Sequence, residues 1–133
     1  MAPDPATDRF AHAPIAQLIG FQILPGNPGE ATVHLAVDER LHNPMGQVHG
    51  GALAALADAA MGIAFGRTLE AGQDFATIDL HLQFMRPVRG QRLTAKAQVS
   101  QRGLRIGYVR CDIKDDHGRL IAAGSCSCTV VGL

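Results

Sequence analysis

The triplet His49-Gly50-Gly51 opens a long apolar run in which one carboxylate, Asp58, stands among alanines. Between Arg40 and Arg67 there is no other Asp, Glu, Lys or Arg. An unpaired charge in a dry core is heavily penalised, so Asp58 is either satisfied by hydrogen bonds or kept for chemistry. A helix start presents backbone N–H groups without intrahelical partners, and the macrodipole there is positive. Gly50 and Gly51 carry no Cβ, so a ligand atom can come up against those amides. Such a place holds the oxygen of a polarised carbonyl in the manner of an oxyanion hole. A carboxylate beside that carbonyl can take a proton from water or attack the carbonyl itself. Asp58 follows Gly50 by eight positions, about 12 Å along a helix at 1.5 Å per residue. It therefore cannot reach a carbonyl held at its own helix start. Either it has another purpose, or it serves the helix start of a neighbouring copy.

The elements that position these residues follow from hydrophobic period. The segment from Pro14 reads as a short helix stopped by Gly20, and "NPGE" at 27–30 as a turn. In "ATVHLAVDE", Val33, Leu35 and Val37 alternate with Thr32, His34 and Ala36, which predicts a half-buried strand. The polar loop "RLHNPMGQ" leads into the central helix, whose propensity is strongest over 52–61. Its apolar residues cover all sides, so the helix should be enclosed by protein. Gly62 and Gly66 fit a close approach of another backbone. Beyond "LEAGQD" the period changes to two. Ile78, Leu80, Leu82 and Phe84 alternate with Thr77, Asp79, His81 and Gln83. Leu93, Ala95, Ala97 and Val99 alternate with Thr94, Lys96, Gln98 and Ser100. Two more strands flank an Asp116-His117-Gly118 turn. Consecutive strands with short turns predict an antiparallel sheet with the long helix on one face, class α+β.

Bulk properties narrow the function further. The chain has 133 residues, 47% hydrophobic and 18% charged, which suits one globular domain. Residues 1–12 read as a flexible N-terminal tail and 13–133 as a single domain. Twelve basic residues balance twelve acidic ones, so nothing attracts nucleic acid. The N-terminus has no secretory pattern, and the three cysteines build no disulfide framework; both fit a reducing cytoplasm. The apolar run 48–66 is no membrane span, because Asp58 sits near its centre and no aromatic belt flanks it. The six histidines lack metal-ligand spacing, so no metal is expected.

Asn43, Gly46, His49-Gly50-Gly51, Asp58 and then "ATIDLHLQFMRPVRG" resemble the hotdog-fold acyl-CoA thioesterases, in particular the phenylacetate-degradation (PaaI-type) branch. The resemblance covers about residues 20–133. It implies a curved antiparallel sheet wrapped around a long central helix. It also implies a homodimer joined sheet edge to sheet edge, with two sites at the interface, and pairing of dimers into a homotetramer. On this resemblance the Gly50 amide polarises the thioester carbonyl with the Asn43 side chain close by, and His49 shapes the loop. Asp58 of the facing protomer is the base or nucleophile, and Thr77 orients the attacking water. The substrate is acyl-CoA, with Gly51 at the site and Arg86, Arg89, Arg102 and Arg105 as candidates for the coenzyme phosphates. Solvated strand-end charge is the other reading of each arginine.

The chemistry suits these residues. A thioester leaves as a thiolate whose thiol has an ordinary pKa of about 8.5, so neither a metal nor a cofactor nor a strong acid is obligatory. A serine hydrolase is excluded by the lack of a G-x-S-x-G elbow. A hotdog dehydratase or isomerase acting on acyl-CoA is the enzymatic alternative, and a non-catalytic acyl-CoA binding module the other.

Overall fold

The computed structural model describes residues 5–132. It contains α1 (Pro5–Ala11), α2 (Pro14–Ile19), β1 (Phe21–Ile23), β2 (Glu30–Val37), α3 (Gly50–Gly66), β3 (Asp74–Phe84), β4 (Gln91–Arg102), β5 (Ile106–Lys114) and β6 (Leu120–Val131). The strands form one antiparallel sheet in the order β1-β2-β4-β5-β6-β3. Strands β4, β5 and β6 are a meander. The chain crosses through α3 from β2 to the far edge, so β3 is an edge strand beside β6.

Local chemistry accounts for the boundaries. Proline at the first position of α2 is preset for helix, and Gly20, at φ 97°, ends it by donating its N–H to Ala16 O at 2.8 Å. On β2, Ala31, Val33 and Leu35 are buried while Thr32 and His34 are half-buried, as the period-two pattern predicts. The β5–β6 turn is organised one residue earlier than the sequence reading placed it. Asp115 Oδ1 accepts from the N–H groups of His117 and Arg119, each at 2.9 Å, and Asp115 Oδ2 lies 2.7 Å from Arg119 Nε.

Helix α3 lies across the inner sheet face, and Leu56, Ala60, Met61, Ile63 and Phe65 are wholly buried with Val33, Leu35, Leu93, Val109, Ile113 and Ile121. Enclosure holds only for its second half. Gly51 and Asp58 are exposed, and Ala54 and Ala55 half-buried, so one stripe of the first two turns stays uncovered. Gly62 is not approached by a backbone, as expected, but by rings: a methyl there would stand 3.2 Å from Phe75 Cζ and 3.3 Å from Phe10 Cζ.

The segment expected as a tail is helical and in contact with β3 over its described part. Residues 5–11 are helical, Phe10 stacks on Phe75 with centroids 6.0 Å apart, and Arg9 pairs with both Asp74 carboxylate oxygens at 3.1–3.2 Å. The part of that expectation covering residues 1–4 lies outside the described residues, as does residue 133. No helix among the described residues is long and apolar enough to cross a membrane.

Glycine matters most where β6 meets β3. A methyl group on Gly124 would stand 2.2 Å from His81 O and 2.9 Å from Leu82 Cδ1. Gly124→Ala must push the edge strand off its neighbour. It is expected to destabilise the protein by about 3 kcal/mol, the top of the usual overpacking range, as read by urea denaturation.

Candidate active site

The start of α3 is built by His49. Its imidazole Nδ1 accepts the Gly51 N–H at 2.7 Å, and the His49 backbone N–H donates to Leu41 O at 2.7 Å. Its carbonyl accepts from Ala52 at 2.9 Å and from Leu53 at 3.3 Å. Three first-turn amides are thereby used, and Gly50 N–H is the one with no acceptor among the described residues. Each glycine has a separate reason. A methyl group on Gly51 would stand 2.9 Å from His49 Nδ1 and break the cap; one on Gly50 would stand 3.0 Å from Phe84 Cζ.

The loop before the helix is tied down at several points. Asn43 Oδ1 accepts from the N–H groups of Met45 at 3.0 Å and Gln47 at 3.1 Å. Gly46 takes φ 76°, and its N–H donates to Asn43 O at 3.0 Å. Val48 N–H donates to Val88 O at 2.7 Å, and the His42 ring bonds the Arg89 carbonyl. The Asn43 amide oxygen is thus spent on loop shape, and its NH2 group is the donor left over.

Asp58 sits on the uncovered stripe of α3, and its hydrogen-bond partner is Thr77, whose Oγ1 donates to Oδ1 at 3.4 Å. That distance is long for an O–H···O bond. The carboxylate is open on its outer side but lies against the bulk of α3 and β3. Desolvation raises its pKa, and the Thr77 hydroxyl pulls the other way. Asp58 on a single chain is therefore a poorly compensated base.

Thr77 reaches Asp58 through an irregularity that the period-two reading of β3 did not contain. The register with β6 runs Thr77↔Cys128 and then Asp79↔Ser127, so one extra residue, Ile78, is accommodated between them. Beyond the bulge Leu82 packs on the core, on the same side as Thr77. The expected alternation of Ile78 with Leu80 and Leu82 is broken there, and Ile78 is exposed.

Behind Thr77 lie the thiols of Cys126 and Cys128, buried on one face of β6 with their sulfurs 3.7 Å apart. Burial pushes the Cys111 thiol on β5 up to about 12, as befits an inert packing thiol.

The four arginines separate. Arg86 and Arg89 are exposed and follow β3 on the Gly50 side, where the Phe84 ring covers Gly50. Arg102 is engaged elsewhere: its Nε donates to Thr68 Oγ1 at 2.9 Å, and its guanidinium lies 4.9 Å from the Phe65 ring centroid. Its place is at the far end of α3, packed on Phe65 and Thr68. Arg105 is exposed at the same hairpin. Among the described residues no three His, Cys, Asp or Glu side chains gather as metal ligands would.

Sequence reasoning missed two contributors. Phe84 covers Gly50, and Asp79 Oδ1 accepts the Ser127 N–H at 2.8 Å across the bulge. The clue to the second was an Asp in the middle of a strand, where that residue is depleted.

One continuous surface joins these features. The stripe Gly51, Ala54, Ala55 and Asp58 lies beside the edge strand, whose Ile78, Leu80 and Phe84 are exposed together with Met85 just beyond it. Exposed apolar side chains along an unpaired sheet edge are the kind of surface that pairing with another chain covers.

Residues 45–122 match the model of the thioesterase superfamily. The 1,4-dihydroxy-2-naphthoyl-CoA hydrolase of Listeria monocytogenes is 25% identical over 116 residues, 87% of this chain and 94% of that one. Human acyl-coenzyme A thioesterase 13 is 29% identical over 99 residues, 73% of this chain and 70% of its own. The solved structure of the Escherichia coli PaaI protein, from the phenylacetic acid degradation operon, superposes with a TM-score of 0.87 at 26% identity, covering 98% of this chain and 97% of that one. With its curved six-stranded sheet and 17-residue central helix, the chain belongs to the thioesterase superfamily and is a thioester hydrolase of the hotdog fold.

Proposed function

We propose that the chain hydrolyses acyl-CoA thioesters at a site split between two subunits, with aromatic acyl groups of the phenylacetyl type as the first substrate class. The carrying observation is the separation of two unspent groups: Gly50 N–H without an acceptor at one end of the exposed stripe, Asp58 at the other. Two copies meeting along this stripe and the β3 edge bring the amide of one to the carboxylate of the other, by two-fold symmetry twice over. The names of the relatives supply the substrate class: two are CoA-thioester hydrolases and one comes from a phenylacetic acid operon. Free, buried cysteines fit a reducing cytoplasm.

In this reading the thioester oxygen sits on Gly50 N–H, backed by the dipole of α3. The NH2 group of Asn43 is the neighbouring donor, and His49 holds the turn. Asp58 of the facing subunit, oriented with Thr77, deprotonates the attacking water. The tetrahedral intermediate expels CoA thiolate, which takes up the proton; the products are the free acid and CoA thiol. We assign the coenzyme phosphates to Arg86 and Arg89, on the support of their exposure at the Gly50 end of the stripe, and dimers pair into a tetramer.

A thiol-release assay across phenylacetyl-, hydroxyphenylacetyl-, benzoyl- and C6 to C16 fatty acyl-CoA tests the class. The reading requires release with at least one, and highest kcat/KM among the aromatic members. No release from any refutes hydrolysis of acyl-CoA; highest kcat/KM with fatty acyl chains refutes the acyl class alone. A single turnover in heavy-oxygen water, with enzyme in excess, tests the chemistry: label in Asp58 requires an anhydride opened at the Asp58 carbonyl and contradicts the base mechanism, in which all the label enters the product acid.

A further inference from the structure

Asp79 is a mid-strand acid of β3 that the mechanism does not use, and it sits at the break in the β3–β6 ladder. In a regular strand, residues an odd number apart lie on opposite faces. Thr77 and Leu80 are three apart, yet Thr77 bonds Asp58 on α3 while Leu80 is opposite the buried Cys126. The extra residue in the bulge makes this possible. A ladder that opens for a bulge leaves backbone groups unmatched. Here Ser127 N–H finds Asp79 Oδ1 at 2.8 Å, and the other carboxylate oxygen lies 3.4 Å from His81 Nε2.

We infer that Asp79 is a positioning residue: by holding the Ser127 amide it keeps the bulge that turns the Thr77 hydroxyl toward Asp58. Without the bulge, a strand that still presents Leu80 and Leu82 to α3 would carry Thr77 on the outer face. An Asp at this position supplies an acceptor on a short side chain, which Ala or Val does not. This inference rests on the role proposed for Asp58 and Thr77.

The test is steady-state kinetics on the whole protein with its best acyl-CoA. Asp79→Ala and Asp79→Val are expected to lower kcat about 10-fold with KM within about twofold, since small misplacements near a reacting centre cost this much or more. Valine raises strand propensity while lacking the acceptor, so it guards against simple loss of folding. Asp79→Asn keeps the Oδ1 acceptor and should recover most of kcat. Adding Asp79→Ala to Thr77→Ala should cost nothing further, because both act on one hydroxyl. The Ser127 amide should exchange with deuterium faster in Asp79→Ala than in Asp79→Asn. Unchanged kcat in Asp79→Ala, failure of Asp79→Asn to recover it, or losses that multiply in the double variant would each overturn the inference. Full dependence on Asp58 and Thr77 with a silent Asp79 defeats this inference alone. Undiminished hydrolysis by Asp58→Ala defeats the proposed function and this inference with it.

Discussion

Asp58→Ala loses at least about 100-fold in kcat with little change in KM, the scale expected when a positioned base is removed. The carboxylate acts on the attacking water and not on the bound coenzyme, so ground-state binding survives its removal. The pH profile carries a second signature. Desolvation raises the Asp58 pKa above the ordinary carboxylate value, and activity requires the ionised form. The acidic limb of kcat/KM should therefore lie above about 3.9, the unperturbed Asp value. Stability moves in the opposite sense. A carboxylate with a raised folded-state pKa binds a proton more tightly folded than unfolded, so its contribution worsens as pH rises through that window. Asp58→Asn, inactive and uncharged, should melt higher than the wild type at pH 7. The gain should vanish below pH 3, where the wild-type group is protonated in both states. Equal melting temperatures at pH 7 would mean that the charge on Asp58 is compensated in the assembled protein.

The second large effect is expected at Gly50. Gly50→Pro deletes the one first-turn N–H that has no acceptor among the described residues and leaves the others in place. Proline is favoured at the first position of a helix, and His49, at φ −64° and ψ 137°, already has the extended conformation that a residue before proline adopts. The nearest obstacle is the Phe84 ring, which is exposed and can swing aside. Loss of a single oxyanion donor costs about 100- to 1000-fold in kcat. Circular dichroism and thermal melting should stay close to wild type while thiol release collapses. Retained activity would show that the thioester oxygen is held elsewhere.

Much of this architecture is written in local pattern. The Ala-rich run after His49-Gly50-Gly51 had to be a helix, and the alternation over Leu93–Val99 had to be a strand with one buried face. Gly20 ended α2 as glycine in the left-handed region does. Features set by packing between distant segments were not legible. The ring of Phe10 stacks on Phe75 from a helix that composition alone reads as tail. The bulge at Ile78 leaves the hydrophobic alternation of β3 intact in sequence while reversing which face Thr77 occupies. Arg102 looks like any strand-end charge until the Phe65 ring and Thr68 hydroxyl are seen beside it. The Gly50 and Asp58 pair was legible as a separation, because a helical rise of 1.5 Å per residue forbids their meeting within one chain.

That separation is best tested by mixing two inactive proteins. Asp58→Ala and Gly50→Pro are co-refolded in equal amounts, and thiol release is compared with each variant alone. In a hybrid dimer the intact Gly50 of one subunit faces the intact Asp58 of the other, so random pairing restores about a quarter of wild-type activity. Activity no greater than that of the separate variants, with hybrid dimers present, would contradict a site divided between subunits.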